Sequence, residues 1–319
     1  MIWKVLFSLL GAGSFYFILS EYGFGKIAAD LSSLGWWSIP LALSFAPVAF
    51  LYGLAWFLVT PSLPLGRLPG MLRLSTISLG WNNLSPFMKV LGEPVRVLLM
   101  EAYIPRKAAL ESAILYNLVH ILGTLIAFIV GALLILAVYP VSDTIRYGFL
   151  GIMVVASLLL VGTYNLPRLG RRMGRRRGAK PTFFQKARFW LRWSFSRMRL
   201  FSERYPARFW SAVFVEVLVR FVEGITFYVA FRALGEPVSV LAASLLDVGR
   251  ALLDNTFFFI PYQVGSREGG ILVLSRHVLN IGEASVVSAL VFYRLVEILW
   301  TGIGYALWIQ SGSSRKLSK

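Results

Sequence analysis

Residues 238–282 read VSVLAASLLDVGRALLDNTFFFIPYQVGSREGGILVLSRHVLNIG. Two apolar arms flank a centre that holds Asp254, Asn255, Pro261, Gly265, Arg267 and Glu268. A membrane-spanning helix needs about 20 mostly apolar residues, and neither arm reaches that length. Proline removes an N–H and glycine weakens the helical ladder, so the centre breaks the helix. Irregular backbone at membrane depth is tolerated only where protein or a wet cavity satisfies it. The stretch is therefore read as a re-entrant helical hairpin. Residues 72–108, LRLSTISLGWNNLSPFMKVLGEPVRVLLMEAYIPRKA, have the same construction around Asn82, Asn83, Pro86, Gly92 and Glu93.

The remainder of the chain is apolar enough to make a membrane the solvent. Of 319 residues 57% are hydrophobic and 15% are charged, against about 25% charged in an ordinary soluble domain. Mean hydropathy is +0.69. This composition excludes a typical globular enzyme, a disordered chain and a fibrous one. The net charge of +17 is local: 14 of the 32 basic residues lie in 165–208, which holds one acid, Glu203. Nucleic acid is not an expected partner. The chain has no cysteine and two histidines, His120 and His277, so thiolate chemistry and Cys-based zinc sites are excluded. No metal or cofactor is expected, and no H-E-x-x-H, G-x-S-x-G or Walker motif appears.

Six further runs are long enough to span: 4–20, 36–59, 110–138, 146–164, 209–231 and 285–309. The first is read as an uncleaved anchor, because no A-x-A site follows it. Basic loops stay cytoplasmic, which places 165–208, the tail 311–319 and both termini on the cytoplasmic side of the cell (inner) membrane. With six crossings and two hairpins that return to their side of entry, every basic cluster lands on that face. The expected fold is an all-α polytopic membrane protein with about six transmembrane helices and two re-entrant hairpins. A single membrane domain is divided into an N-terminal half, 1–164, and a C-terminal half, 209–310. Each half holds one hairpin, and the two have opposite topology, as in an inverted repeat. Paired broken segments in inverted halves point to a transport site near the midplane.

Between the halves, Phe184, Ala187, Leu191, Phe195, Met198 and Phe201 recur at near-helical spacing. Lys186, Arg188, Arg192, Arg197 and Arg199 fall between them. That pattern predicts an amphipathic helix on an anionic inner leaflet. A solvated loop obeying the positive-inside rule is the plainer alternative.

Ionisable residues inside spans cost a few kcal/mol each and mark pathways or buried pairs. The first hairpin offers Asn82, Asn83, Glu93 and Arg96. The second offers Asp247, Arg250, Asp254, Asn255, Arg267 and Glu268, and the last span adds Arg294 and Glu297. These residues are read as substrate-binding. Glu216, Arg220 and Glu223 form one stripe of the fifth span at i, i+4 and i+7. Salt bridges that hold broken helices together are the competing role, and His120 reads as a hydrogen-bonded packing residue.

The run Asn83-Leu-Ser-Pro86, followed by Gly92-Glu93-Pro94-Val95-Arg96, resembles the N-x-x-P…G-G-E/D-x-x-R stretch of a flippase-like membrane family. That family includes the transmembrane domain of lysylphosphatidylglycerol synthases. Residues 260–269, IPYQVGSREG, are similar to its second signature, I-P-G-G-L-G-x-R-E-G, and Tyr293-Arg294 resembles the Y-R of its last helix. Leu91 and Tyr262-Gln263 depart from the usual glycines. The resemblance implies movement of a lipid between leaflets, with an anionic or aminoacylated phospholipid, a hopanoid or a related lipid as partner. Arginines 96, 250, 267 or 294 would hold a phosphate, and Glu93 and Glu268 an amine or a proton. The sequence holds no aminoacyl-transferase domain, so a non-enzymatic translocase is expected. An intramembrane lipid-modifying enzyme and a non-catalytic membrane scaffold are the alternatives; oligomers are compatible with all three.

Overall fold

A computed structural model describes residues 34–84, 92–169, 183–260, 263 and 265–317, with Gly25, Ala28, Ala29 and Ser32 isolated ahead of them. The expected first span, Pro86, the linker 170–182 and Pro261 lie outside the described residues. All regular structure among the described residues is helical. Among the described residues, four helices are long and apolar enough to cross a membrane: Gly35–Leu58, Arg106–Val138, Asp143–Gly162 and Glu283–Ser311.

The first of these is a 3-10 turn at Gly35–Trp37 followed by α1 (Ser38–Leu43) and α2 (Ala46–Leu58). Next come α3 (Leu68–Leu84) and α4 (Gly92–Met100), which pack against each other. The long α5 (Arg106–Val138) and α6 (Asp143–Leu169) follow, then α7 (Phe183–Arg204). The C-terminal half comprises α8 (Pro206–Val222), α9 (Gly224–Ala233), α10 (Val240–Thr256), α11 (Ser266–Leu274) and α12 (Glu283–Leu317). Helices α10 and α11 pack against each other as α3 and α4 do.

The fifth expected span, 209–231, is two helices rather than one. The division falls at Glu223, which keeps right-handed helical dihedrals, φ −55° and ψ −32°. Glu216, Arg220 and Glu223 are all buried there, and their pairing makes this stretch too polar to read as a simple apolar span.

The halves interleave. Helix α12 packs on α3, and α8 packs on both α2 and α5. The α5–α8 contact is close: a Cβ added at Gly123 would lie 2.5 Å from Glu216 Cβ, so only glycine fits. Helix α6 sits at the periphery, with almost none of its apolar span buried by protein. Its exposed Val154, Leu158 and Val161 face what must be lipid.

Helix α7 uses its apolar stripe differently from a helix lying free on a membrane. Phe195 and Met198 are buried against the bundle, while Phe189, Trp190, Leu191 and Leu200 remain exposed. Helix α7 packs on α5, α6 and α8. Arg197 pairs with Glu111 of α5 at 3.3 Å, and Arg199 pairs with Glu203 at 2.7 Å. Arg192 is half-buried. The side chains of Lys186 and Arg188 fall outside the described residues.

Candidate functional site

A polar cavity of about 430 Å³ lies between the two halves. It is lined by Asn82, Asn83, Glu93 and Arg96 from the first helix pair and by Arg250, Asp254 and Asn255 from the second. Glu297 of α12 completes its wall. Asp247, Arg267, Glu268 and Arg294 stand outside this lining, and all but Arg294 are buried.

The first wall is built on the start of α4. Asn82 Oδ1 accepts the Gly92 N–H at 2.7 Å and caps that helix end. Asn83 donates to Thr301 Oγ1 of α12 at 3.2 Å. One turn into α4, Arg96 pairs with Glu93 at 3.1 Å. Asn117 of α5 donates to Glu93 Oε2 at 2.8 Å, and its carbonyl accepts from Arg96 at 3.4 Å. The Arg96 guanidinium lies 4.8 Å from the centre of the Trp56 ring and 4.3 Å from that of Tyr116. Both rings hold it by cation–π attraction, which strengthens when water is absent. Its buried Nε has no hydrogen-bond partner.

The second wall is a continuous ion-pair network. Arg250 donates to Asp247 at 2.6 Å, to Asp254 at 2.9 Å and to Glu223 at 3.2 Å. Arg267 grips both oxygens of Asp254, at 2.8 and 2.7 Å, and reaches Glu297 at 2.8 Å. Arg294 pairs with Glu268 at 2.8 Å and with Glu297 at 3.3 Å. The backbone explains Glu268: Gly265 adopts φ 83°, a conformation that favours glycine. Its N–H donates to Glu268 Oε2 at 2.7 Å and starts α11. Glu268 thus ties a helix start to α12 through Arg294.

The forks of Arg250 and Arg267 are therefore spent on carboxylates. This favours the structural role for those two arginines, since an ion pair linking two arms of broken helix is what fixes them. Arg96 differs in kind, because aromatic faces supply much of its support.

Tyr52, Tyr116 and Asn117 line the cavity but carried no signal in the sequence. Tyr52 donates to Glu223 Oε1 at 2.8 Å and also bonds Arg220. Asn117 and Tyr116 complete the Arg96 site. His120 bonds Glu216 through Nδ1 at 2.7 Å, as a packing residue would, yet it also lines the cavity. Gln263 is buried and lines the cavity too. It holds φ 51° in the left-handed region, which is why a glycine is the easier residue there.

A family model for the lysylphosphatidylglycerol synthase TM region matches residues 1–304. The chain belongs to that family. No curated protein matches the chain. The match covers both broken helix pairs and the whole cavity, and it makes this a membrane protein linked to lipid metabolism or transport. The family's membership extends through Tyr293 and Arg294 of α12, so all elements that line the site lie within it.

Proposed function

We propose that the protein is a lipid translocase, moving a phospholipid with a polar headgroup between leaflets through the cavity described above. It performs no covalent chemistry in this reading. One observation carries it: both broken helix pairs, from opposite halves of the chain, line a single polar cavity. Helix breaks at membrane depth are sustained by such cavities, and paired breaks in two halves are the mark of a transport site. Family membership supplies the lipid class.

Charge supports a more specific headgroup. Among the described residues, the cavity and its ion-pair network join five arginines to six carboxylates, and His120 pairs with a seventh, Glu216. The excess is negative, which suits a headgroup bearing an amine beside its phosphate, as in an aminoacylated or zwitterionic phospholipid. In this reading Arg96 receives the phosphate, since guanidinium geometry matches phosphate oxygens. Glu93, whose side chain is 27% exposed, receives the amine. The acyl tails stay in the bilayer.

The same reading holds α3–α4 and α10–α11 to be re-entrant hairpins of an inverted repeat, with six spans and both termini cytoplasmic. The absence of native cysteine makes the topology easy to test. With single cysteines introduced as Ser142→Cys and Arg204→Cys, a membrane-impermeant thiol reagent applied to intact cells is expected to label the first alone. Labelling of position 204 from outside overturns the orientation. The functional test is reconstitution. Mass spectrometry identifies the lipid that co-purifies, and its transbilayer movement is followed in liposomes with and without protein. Movement no faster than in empty liposomes sinks the translocase reading.

A further inference from the structure

Beside the polar cavity lies an apolar groove between α5, α6 and α10. It begins where the cavity ends: His120, Ile121 and Asn255 line both. It continues into a second apolar recess through the shared Phe128, Ile152 and Leu252. The two parts enclose about 560 and 130 Å³. Along α5 the trough runs from His120 to Ile135, and at about 1.5 Å per residue this is about 22 Å. One leaflet of hydrocarbon is about 15 Å thick. The trough is long enough for one acyl chain.

Thr124 stands at the junction. It is 6% exposed and lines the groove, and its buried Oγ1 has no hydrogen-bond partner. A buried hydroxyl left unsatisfied costs about 1–3 kcal/mol, so its position calls for an acceptor. On α5 it sits one turn beyond His120 and one turn before Phe128. One face of that helix therefore presents, in order, a polar group, a lone hydroxyl donor and an apolar wall. A diacyl lipid presents the same order: headgroup, ester carbonyl, hydrocarbon chain.

We infer that this groove holds one acyl chain of the lipid whose headgroup occupies the cavity, with the ester carbonyl accepting a hydrogen bond from Thr124. The inference rests on the lipid reading of the cavity. It adds that a tail is held by the protein and not merely left in the bilayer. It also places the lateral door of the cavity between α6 and α10.

Gly151 allows a direct test. It lines the groove, and a Cβ added there meets nothing within 4 Å, so Gly151→Trp plugs the trough without disturbing the backbone. The probe is phosphatidylethanolamine with a photoactivatable diazirine near the end of one ester-linked chain, in nanodiscs of phosphatidylglycerol holding the full-length protein. Wild-type protein is expected to take label on Phe128, Ile152 and Leu252 above that on Val154 and Leu158, the bilayer-facing residues of α6. Gly151→Trp is expected to lose the groove label and keep the label on Val154 and Leu158. Thr124→Val is expected to weaken capture of the ester probe about fivefold, the weight of one neutral hydrogen bond. It should leave capture of an ether-linked analogue unchanged. Uniform labelling of α6, or a plug without effect, overturns the groove. If groove labelling follows this pattern while liposomes show no translocation, the inference stands and the translocase reading fails.

Discussion

Arg267→Gln is expected to destabilise the protein by about 3–5 kcal/mol, the usual cost of removing one partner from a buried ion pair. Arg267 is 1% exposed. It joins Asp254 near the end of α10 to Glu297 of α12, from its own place on α11. Without it, the bidentate bond between the two arms of the second helix pair is gone. Asp254 would keep Arg250, and Glu297 would keep Arg294, but each would carry negative charge that one guanidinium alone offsets. Glutamine reaches neither carboxylate with two donors. The measurement is thermal unfolding in detergent, together with yield of monodisperse protein. The double variant Arg267→Gln/Asp254→Asn should recover part of the loss, because removing both partners leaves no unpaired charge. Unfolding of Arg267→Gln at the wild-type temperature would show that the network does not hold the helix pair together.

Arg96→Gln and Glu93→Gln are expected to act on transport instead. Truncating one partner of a buried, hydrogen-bonded charge pair costs about 2–5 kcal/mol of binding, or about thirtyfold and more in affinity for the headgroup. Stability should fall less than in Arg267→Gln, because Glu93 is partly open to the cavity. Arg96 also loses its stacking on Trp56 and Tyr116, at about 1–2 kcal/mol. Arg96→Lys separates the two contributions. It keeps the charge and the stacking but loses the planar fork, so it should transport at an intermediate rate. Translocation per folded molecule is measured in liposomes beside thermal stability. Wild-type rates in both Gln variants would exclude the Arg96–Glu93 pair from the site.

The contrast between these two arginines was not visible in the sequence, although both were. Arg96 lies three residues after Glu93 and Arg267 one residue before Glu268, each beside a helix-breaking centre, and neither spacing says whether the arginine binds or braces. Only packing does: Trp56 and Tyr116 arrive from α2 and α5, helices with no polar motif of their own. Asn117 and Tyr52 were missed for the same reason. A lone polar residue on an apolar span has no local pattern, and its role arises when another helix brings a carboxylate to it. The spans around α5, α6 and α12 were legible because a run of apolar residues long enough for a bilayer is a strong one-dimensional signal. The division at Glu223 was not, because the stripe of Glu216, Arg220 and Glu223 reads equally well on one continuous helix. The amphipathic pattern of α7 was read correctly as a helix. Its stripe met protein as well as open surface because Phe195 and Met198 find α5, α6 and α8 within reach.

The burial of the ion-pair network also decides how the molecule responds to its ionic surroundings. Dissolved salt screens charges across about 8 Å at physiological strength and about 3 Å at 1 M, but only where ions can enter. Arg267 sits where they cannot, being 1% exposed and outside the cavity lining. The pairs on α7 are open: Arg199 and Glu203 are about half exposed, as are Arg197 and Glu111 to a lesser degree. Raised ionic strength therefore weakens the Arg197–Glu111 link between α7 and α5 and the Arg199–Glu203 pair within α7, while the interior cross-links persist. The protein is layered in its response to ionic strength, with a screened basic helix packed on a centre whose ion pairs are shielded.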